Sequence, residues 1–337
     1  MVVVPSKEHR ASGGLPYAFD SCFDDMGIRR VDYGCPSPGG ILFCRNSILD
    51  TAAKKMLGQC RNIGVVYGLA SCNVFADKRT LAQAYRHGCK HVPATWTSWE
   101  DVPAAPAHRV YVLKKNLQRQ QGIRLAHSRD DMKSMCIADP PDVIQEGLED
   151  PFLVAGRKIN LRIYVLVMWC PQSGFSVHVH RNGFVYYCRQ PMPASMGDTT
   201  SENYITTGYI DRSVYDHNPL TVAEFLEQHV PTERHSAFWS DVTQAVHGVT
   251  IGNPDALRLA TIMEGRMHPP GPSGVVMGVR GVVMGADIAV SSGLGVAIME
   301  LNRGPDMDKK DDRDGEVKRV AVQKLCGILT GARCTKT

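Results

Sequence analysis

One nine-residue run constrains this chain more than any other stretch. From Ile159 to Val167 the apolar residues Ile159, Leu161, Ile163, Val165 and Val167 recur at every second position, while Asn160, Arg162 and Tyr164 share the opposite face. Side chains alternate across a strand, so this period commits the segment to a sheet with one apolar face and one face that carries polar groups. Two arginine- and asparagine-bearing positions therefore point the same way from a rigid element.

Around this strand the chain alternates short extended runs with helical patterns. The first forty residues (1–40) carry turn chemistry, Ser12-Gly-Gly and Pro36-Ser-Pro-Gly-Gly40, and read as an irregular extension. Residues 41–100 suggest a small α/β lobe: a helix over Asn46–Gln59, a strand at Val65-Val-Tyr67, and a helix from Lys78 to about His87 with Asp77 as its cap. A proline- and alanine-rich loop, Asp101 to His108, marks a lobe boundary, and residues 108–337 form the third region. There, Val110–Leu113 and Ile123–Ala126 make a hairpin with a polar tip, Asn116 to Gln121. Val143–Gln145 is a short strand. Phe175–His180 turns at Arg181-Asn-Gly183 into Phe184–Cys188, because Asn-Gly is a strong hairpin signal. Helical patterns follow at Val222–His229, His235–His247 and Ala256–Met263. Strands Val282–Val290 and Val296–Leu301 then flank a Ser-Ser-Gly turn, ahead of a closing helix over Glu316–Leu329. The segment Gly274-Val-Val-Met-Gly278 recurs as Gly281–Gly285, with no functional account.

Composition excludes several classes. At 337 residues, 43% hydrophobic and 21% charged, the chain can bury one large core or a few small lobes. A formal net charge of +4 is too small to argue for a nucleic-acid partner, although Arg109, Lys114, Lys115, Arg119, Arg124 and Arg129 crowd one segment. The 11 cysteines are odd in number and include no C-x-x-C, which suits a reducing compartment better than a disulfide framework. Met1–Pro5 is too short for a secretory core, and Arg280 and Asp287 interrupt the longest apolar run, Gly274 to Val290. A cytoplasmic monomer without a membrane span is expected.

The chemistry-bearing residues gather on strands. Glu300 and Asn302 lie two apart and share a face, and Asp287 sits on the preceding strand, where antiparallel pairing would bring it alongside. Two carboxylates and an amide oxygen make a hard-oxygen set suited to magnesium; ordinary strand-end polar residues would look the same. Lys114 ends a strand before a flexible loop, Lys158 precedes the long strand, Arg162 lies within it, and Arg181 opens the next turn. Such cations suit phosphates or carboxylates, or a solvated surface. No G-x-x-x-x-G-K-[ST] and no G-x-S-x-G is present; Gly293-x-Gly295 is too short for a dinucleotide fingerprint, and His178 and His180 lack ligating partners.

In order, these segments resemble the tubulin–tyrosine ligase-like family. The most specific stretch runs from Val143-Ile-Gln-Glu-Gly through Gly156-Arg-Lys-Ile-Asn-Leu-Arg-Ile-Tyr-Val-Leu-Val167, similar to V-I-Q followed by G-R-K-F-D-L-R-x-Y-V-L-V. Arg181-Asn-Gly183 resembles R-E-G, Gly285-Ala-Asp287 resembles G-x-D, and Glu300-Leu-Asn302 with Pro305 resembles E-V-N-x-x-P. The resemblance implies an α+β ATP-grasp fold with two lobes holding ATP. It implies Lys114 at the phosphates, Gln145, Glu146 and Gly147 as a hinge beside adenine with Lys158 and Asn160 nearby, and Asp287, Glu300 and Asn302 around Mg2+. Arg162 and Arg181 would face the acceptor carboxylate or the amino acid. The implied activity is joining an amino acid, glutamate before tyrosine or glycine, to a protein carboxylate through an acyl phosphate. Acidic tubulin tails are the implied acceptors, with a microtubule or ciliary location. Three places depart from the family pattern: Asn160 replaces an aspartate, the loop Lys115–Gln121 is poor in glycine, and Tyr204-Ile-Thr-Thr207 stands for H-L-T-N. These leave a catalytically weakened ATP- or tubulin-binding protein, or a small-molecule ATP-grasp ligase, as alternatives.

Overall fold

The computed structural model describes residues 2–5, 15–30, 40–48, 63–104, 109–117, 121–266 and 278–331. The chain begins with β1 (Val2–Pro5), α1 (Tyr17–Asp25), β2 (Arg29–Arg30), β3 (Ile41–Ile48) and β4 (Val65–Leu69). Then come α2 (Cys72–Ala76), α3 (Arg79–Arg86), β5 (Thr95–Trp96), β6 (Tyr111–Lys114), β7 (Ile123–Ala126), α4 (Arg129–Ala138) and β8 (Val143–Glu146). The central part holds β9 (Leu153–Val154), β10 (Arg157–Cys170), β11 (Gly174–Tyr187) and α5 (Ser201–Tyr204). Helices α6 (Val222–His229), α7 (His235–Val249) and α8 (Pro254–Arg266) precede β12 (Val279–Val290), β13 (Val296–Arg303) and α9 (Asp312–Gly331).

Two sheets result. The larger has nine strands in the order β11-β10-β12-β4-β3-β1-β2, with β13 added to β12 and β9 to β10; the smaller runs β5-β8-β6-β7. β12 is the hub: one edge pairs along β10, while the other takes β4 in parallel at its start and β13 antiparallel at its end. The two long central strands are buried almost throughout, as expected of strands covered on both faces. Their interior exceptions are Arg162 in β10 and Asp287 in β12, which sit directly opposite each other. The same face of β12 runs back from Asp287 to Gly281, where a Cβ would lie 2.6 Å from Leu329 of α9. Thus α9 covers one end of this face, and the other end opens at Arg162 and Asp287.

The small sheet has its own thin core. Tyr111, Leu113, Ala126 and Ile144 pack on Met132 and Cys136, which lie four apart on α4. Ser128 caps that helix by accepting from Asp131 N at 3.0 Å, and Asp130 and Asp131 favour its first turn electrostatically. Its polar surface hides this helix from hydrophobic periodicity. The sheet begins at Thr95, ahead of the proline- and alanine-rich stretch, by pairing β5 with β8.

Several expected elements differ from those observed. Arg181-Asn-Gly183 is not a hairpin turn. Strand β11 passes straight through it, and the pairing with β10 jumps from Ile163↔Gly183 to Val165↔Val179, a bulge. The chain reverses instead between Cys170 and Gly174, whose φ of 74° suits glycine. Gly183 is needed for a different reason: a Cβ there would lie 2.0 Å from the Arg162 carbonyl oxygen. In the first forty residues a strand at Val2–Pro5 and a helix at Tyr17–Asp25 stand where an irregular extension was expected; the helix buries Phe19, Cys22 and Phe23. Of the expected helix Asn46–Gln59, Asn46–Ile48 belongs to β3, and the rest lies outside the described residues. So does the first copy of the repeated Gly-Val-Val-Met-Gly segment, up to Met277. No helix among the described residues is long and apolar enough to cross a membrane.

Candidate functional site

A cleft of about 760 Å³ opens between the two sheets. Its floor is the open face of the large sheet, with Lys158, Asn160 and Arg162 from β10, Asp287 from β12, and Glu300, Asn302 and Arg303 from β13. Lys114 and Ile123 contribute from the small sheet, and Thr207, Tyr209 and Lys310 from the connecting segments.

The floor brings the three expected metal ligands together. Asp287 pairs with Glu300 across β12 and β13, and a bulge after that pair displaces Met299. Asn302 Nδ2 lies 3.0 Å from Asp287 Oδ2 and 2.9 Å from Glu300 Oε1, so one amide spans both carboxylates. Arg162 grips Asp287 with two bonds, Nε to Oδ1 at 2.6 Å and Nη2 to Oδ2 at 3.1 Å. Glu300 Oε2 lies 3.5 Å from Lys78 Nζ. Burial raises the Asp287 carboxyl above the usual carboxylate range despite Arg162. Burial also opposes charge on Glu300, but Lys78 and Lys114 outweigh it and hold that carboxyl low. Two carboxylates brought together by the Asn302 amide group, beside fixed cations, fit a hard divalent ion such as magnesium.

Three buried lysines stand at the site, and two of them, Lys78 and Lys114, act on this acidic pair. Lys114, 5% exposed, donates to Gln145 Oε1 at 2.6 Å and to the Met299 carbonyl at 3.2 Å, linking the small sheet to β13. Burial pushes its ammonium down to about 8, with Glu300 pulling the other way. Lys158 is buried, donates to Asn160 Oδ1 at 3.2 Å, and stands 4.9 Å from the centre of the Tyr204 ring; burial lowers its pKa too. Lys78 is also buried and donates to the Leu117 carbonyl at 2.8 Å, tying the β6–β7 loop to Glu300.

Not every expected residue reaches the cleft. Arg181 sits exposed in the β11 bulge and does not line it. Gln145, Glu146 and Gly147 do not line it either. Gln145 is fully buried and orients Lys114, while Glu146 pairs with Arg109. Gly147 donates to the Val110 carbonyl at 2.8 Å, and a Cβ on it would lie 2.5 Å from Tyr204 Oη. Sequence reasoning missed Lys78, Tyr186, Arg303 and Lys310. In the sequence Lys78 marks only the start of a helix, and nothing local distinguishes it from a surface lysine. Tyr186 supports Arg162, whose Cζ lies 5.1 Å from the ring centre; its place opposite Asn160 in the β10–β11 pairing is the signal that could have found it. Thr207, where the family pattern has asparagine, does line the cleft; it donates its N–H to the Tyr187 carbonyl at 3.0 Å.

The family model for the tubulin-tyrosine ligase family matches residues 90–330, which includes the small sheet, β10 to β13 and most of α9. The chain belongs to this family. Tubulin polyglutamylase TTLL7 of Mus musculus is 29% identical over 207 residues, covering 56% of this chain and 21% of that protein. Tubulin polyglutamylase ttll6 of Danio rerio is 22% identical over 258 residues, covering 73% of this chain and 31% of that protein. The chain thus spans less than a third of the length of these relatives. Among solved structures, the C-terminal domain of K. lactis Pby1, an ATP-grasp enzyme, superposes with a TM-score of 0.56 at 11% identity, covering 99% of this chain and 97% of that one. The fold is α+β and of the ATP-grasp type, as the family resemblance implied.

Proposed function

We propose that the chain is an ATP- and magnesium-dependent ligase that joins the amine of an amino acid to a protein carboxylate. The observation that carries this reading is the convergence of Asp287, Glu300 and Asn302 on the cleft floor beneath Lys114 and Lys78. Asp287, Glu300 and Asn302 would hold the magnesium ion. When bound, that ion offsets negative charge on the phosphates of ATP. Lys114, Lys78 and Lys158 would take further phosphate charge, and Arg162 would take a substrate carboxylate with its planar fork.

The chemistry follows from the weakness of a carboxylate as an electrophile. An oxygen of the acceptor carboxylate takes the γ-phosphoryl group and ADP leaves. The amine nitrogen then attacks the acyl carbon, the C–O bond to phosphate breaks, and the ammonium that results loses a proton. Fixed cations around the cleft stabilise charge that develops on the transferring group. Among the described residues, six cations (Lys114, Lys158, Arg162, Arg189, Arg303, Lys310) line the cleft against three carboxylates (Asp287, Glu300, Asp306), which favours an acidic acceptor. The relatives are named tubulin polyglutamylases, so glutamate is the proposed amino acid and an acidic tubulin tail the proposed acceptor. A cytoplasmic, microtubule-associated location follows from that acceptor.

The test is magnesium-dependent ADP release by purified chain with glutamate and tubulin, alongside Glu300→Gln. Release by wild type and loss in the variant are expected. Equal background release by both would sink the ligase reading; if ATP still binds, a nucleotide-binding protein without turnover replaces it. Turnover with free amino acids and no protein acceptor would favour a small-molecule ligase.

A further inference from the structure

The floor of the cleft is already neutralised by the protein itself. Asp287 offers two oxygens and both are taken: Oδ1 by Arg162 Nε, and Oδ2 by Arg162 Nη2 and Asn302 Nδ2. A divalent cation at Asp287 competes with the guanidinium, because the two positive charges would then share one part-buried carboxylate. We propose that Arg162 is a metal-gated receptor for a substrate carboxylate, capping Asp287 until a divalent cation displaces it and only then becoming free to bind an anionic substrate. This rests on the assignment of Asp287 as a metal ligand in the function proposed above.

The surroundings of Arg162 limit where it can go. Its stem passes over Gly285, where a Cβ would lie 3.0 Å from Cδ, and its guanidinium lies against the Tyr186 ring. Backbone pairing fixes Arg162 opposite Asp287. The stem is therefore held while the planar head can pivot, and the open side is the cleft that both residues line. A guanidinium that leaves one carboxylate in a part-buried place gains strongly from finding another, since an unpaired buried charge is costly. The substrate carboxylate supplies that partner. Metal-nucleotide and anionic substrate then bind with positive coupling, and the coupling is reciprocal. Glycine at 285 and the aromatic ring at 186 become parts of the device, one giving the stem room and the other a surface to slide on.

The sign of one change decides the matter. An arginine that only helps to hold phosphate predicts weaker metal-nucleotide binding when it is removed; a gate predicts tighter binding. Mn2+·ADP affinity would be measured by calorimetry and by electron paramagnetic resonance for wild type and Arg162→Gln, with and without saturating glutamate. The expected result is tighter Mn2+·ADP binding in Arg162→Gln, on the order of 5-fold or more, and a glutamate enhancement in wild type that the variant lacks. Unchanged or weaker binding in Arg162→Gln, with wild type binding normally, overturns the gate and leaves the nucleotide site standing. No Mn2+·ADP binding by wild type overturns both. Should Arg162→Gln fail to fold, Arg162→Lys serves: one ammonium cannot hold both oxygens, so a smaller gain in affinity is expected, and none overturns the gate.

Discussion

Two sets of basic residues in this molecule have opposite fates. Among the described residues, the set crowded in sequence from Arg109 to Arg129 is largely spent on its own neighbourhood. Arg109 pairs with Glu146 and Glu149, Lys115 and Arg124 share Asp139, and Arg129 bonds the Val102 carbonyl and lies near Trp99. The set scattered in sequence is gathered at the site: Lys114, Lys158 and Arg162 line the cleft, and Lys78 pairs with the part-buried Glu300. Only Lys114 belongs to both. Clustering along a chain says little about field strength at a site, because a run of charges on a surface recruits its own counter-ions. Charges that a sheet brings together in a part-buried cleft are screened far less.

Substitutions that cross this divide sharpen it. The largest effect is expected for Lys114→Met, which removes a buried point charge from the cleft: ADP release should fall on the order of 100-fold, measured under saturating magnesium. A smaller effect should follow Gly147→Ala. The new methyl group would meet Tyr204 Oη and the Val110 carbonyl, so denaturant unfolding should show a loss of about 1–3 kcal/mol.

Titration of Lys114 separates the two sets again. Its ammonium deprotonates near pH 8 in the folded chain against an ordinary value of 10.5. Between these values the unfolded chain holds the proton and the folded chain does not, so stability without nucleotide should rise with pH across that window. Nucleotide affinity should fall across the same window as the cation is lost. Melting temperature and ADP affinity on either side of pH 8 check both signs, and Lys114→Met should flatten both profiles. The smallest effect belongs to the other set. Lys115→Ala breaks the half-exposed pair with Asp139, so it should leave melting temperature and ADP affinity close to those of wild type.

Much of the fold was legible where period and caps agree. The strand at Ile159–Val167 lies inside β10, the pattern at Val222–His229 matches α6, and the two final strands lie inside β12 and β13. Thr221 explains the second case, because its side chain accepts from Glu224 N at 3.1 Å in a capping box. Local signals failed where a neighbour decided the outcome. Asn182-Gly183 has the chemistry of a hairpin turn, yet β10 continues beside it, so the dipeptide is absorbed as a bulge and Arg181 turns away from the cleft. Lys78 looked like one more helix-start lysine because its partner, Glu300, is more than two hundred residues away in sequence.

The sequence by itself determined that Glu300 and Asn302 share a face and that Arg162 lies on the polar side of a long strand, since alternation is a property of extended backbone. It also carried the residue pattern that marks the family. Tertiary structure alone decided that Arg162 would stand opposite Asp287 and hold both its oxygens. That depends on the register between β10 and β12: the hydrophobic pattern of each strand fixes which face is inward, but which residues stand opposite is settled only when the two distant strands pair.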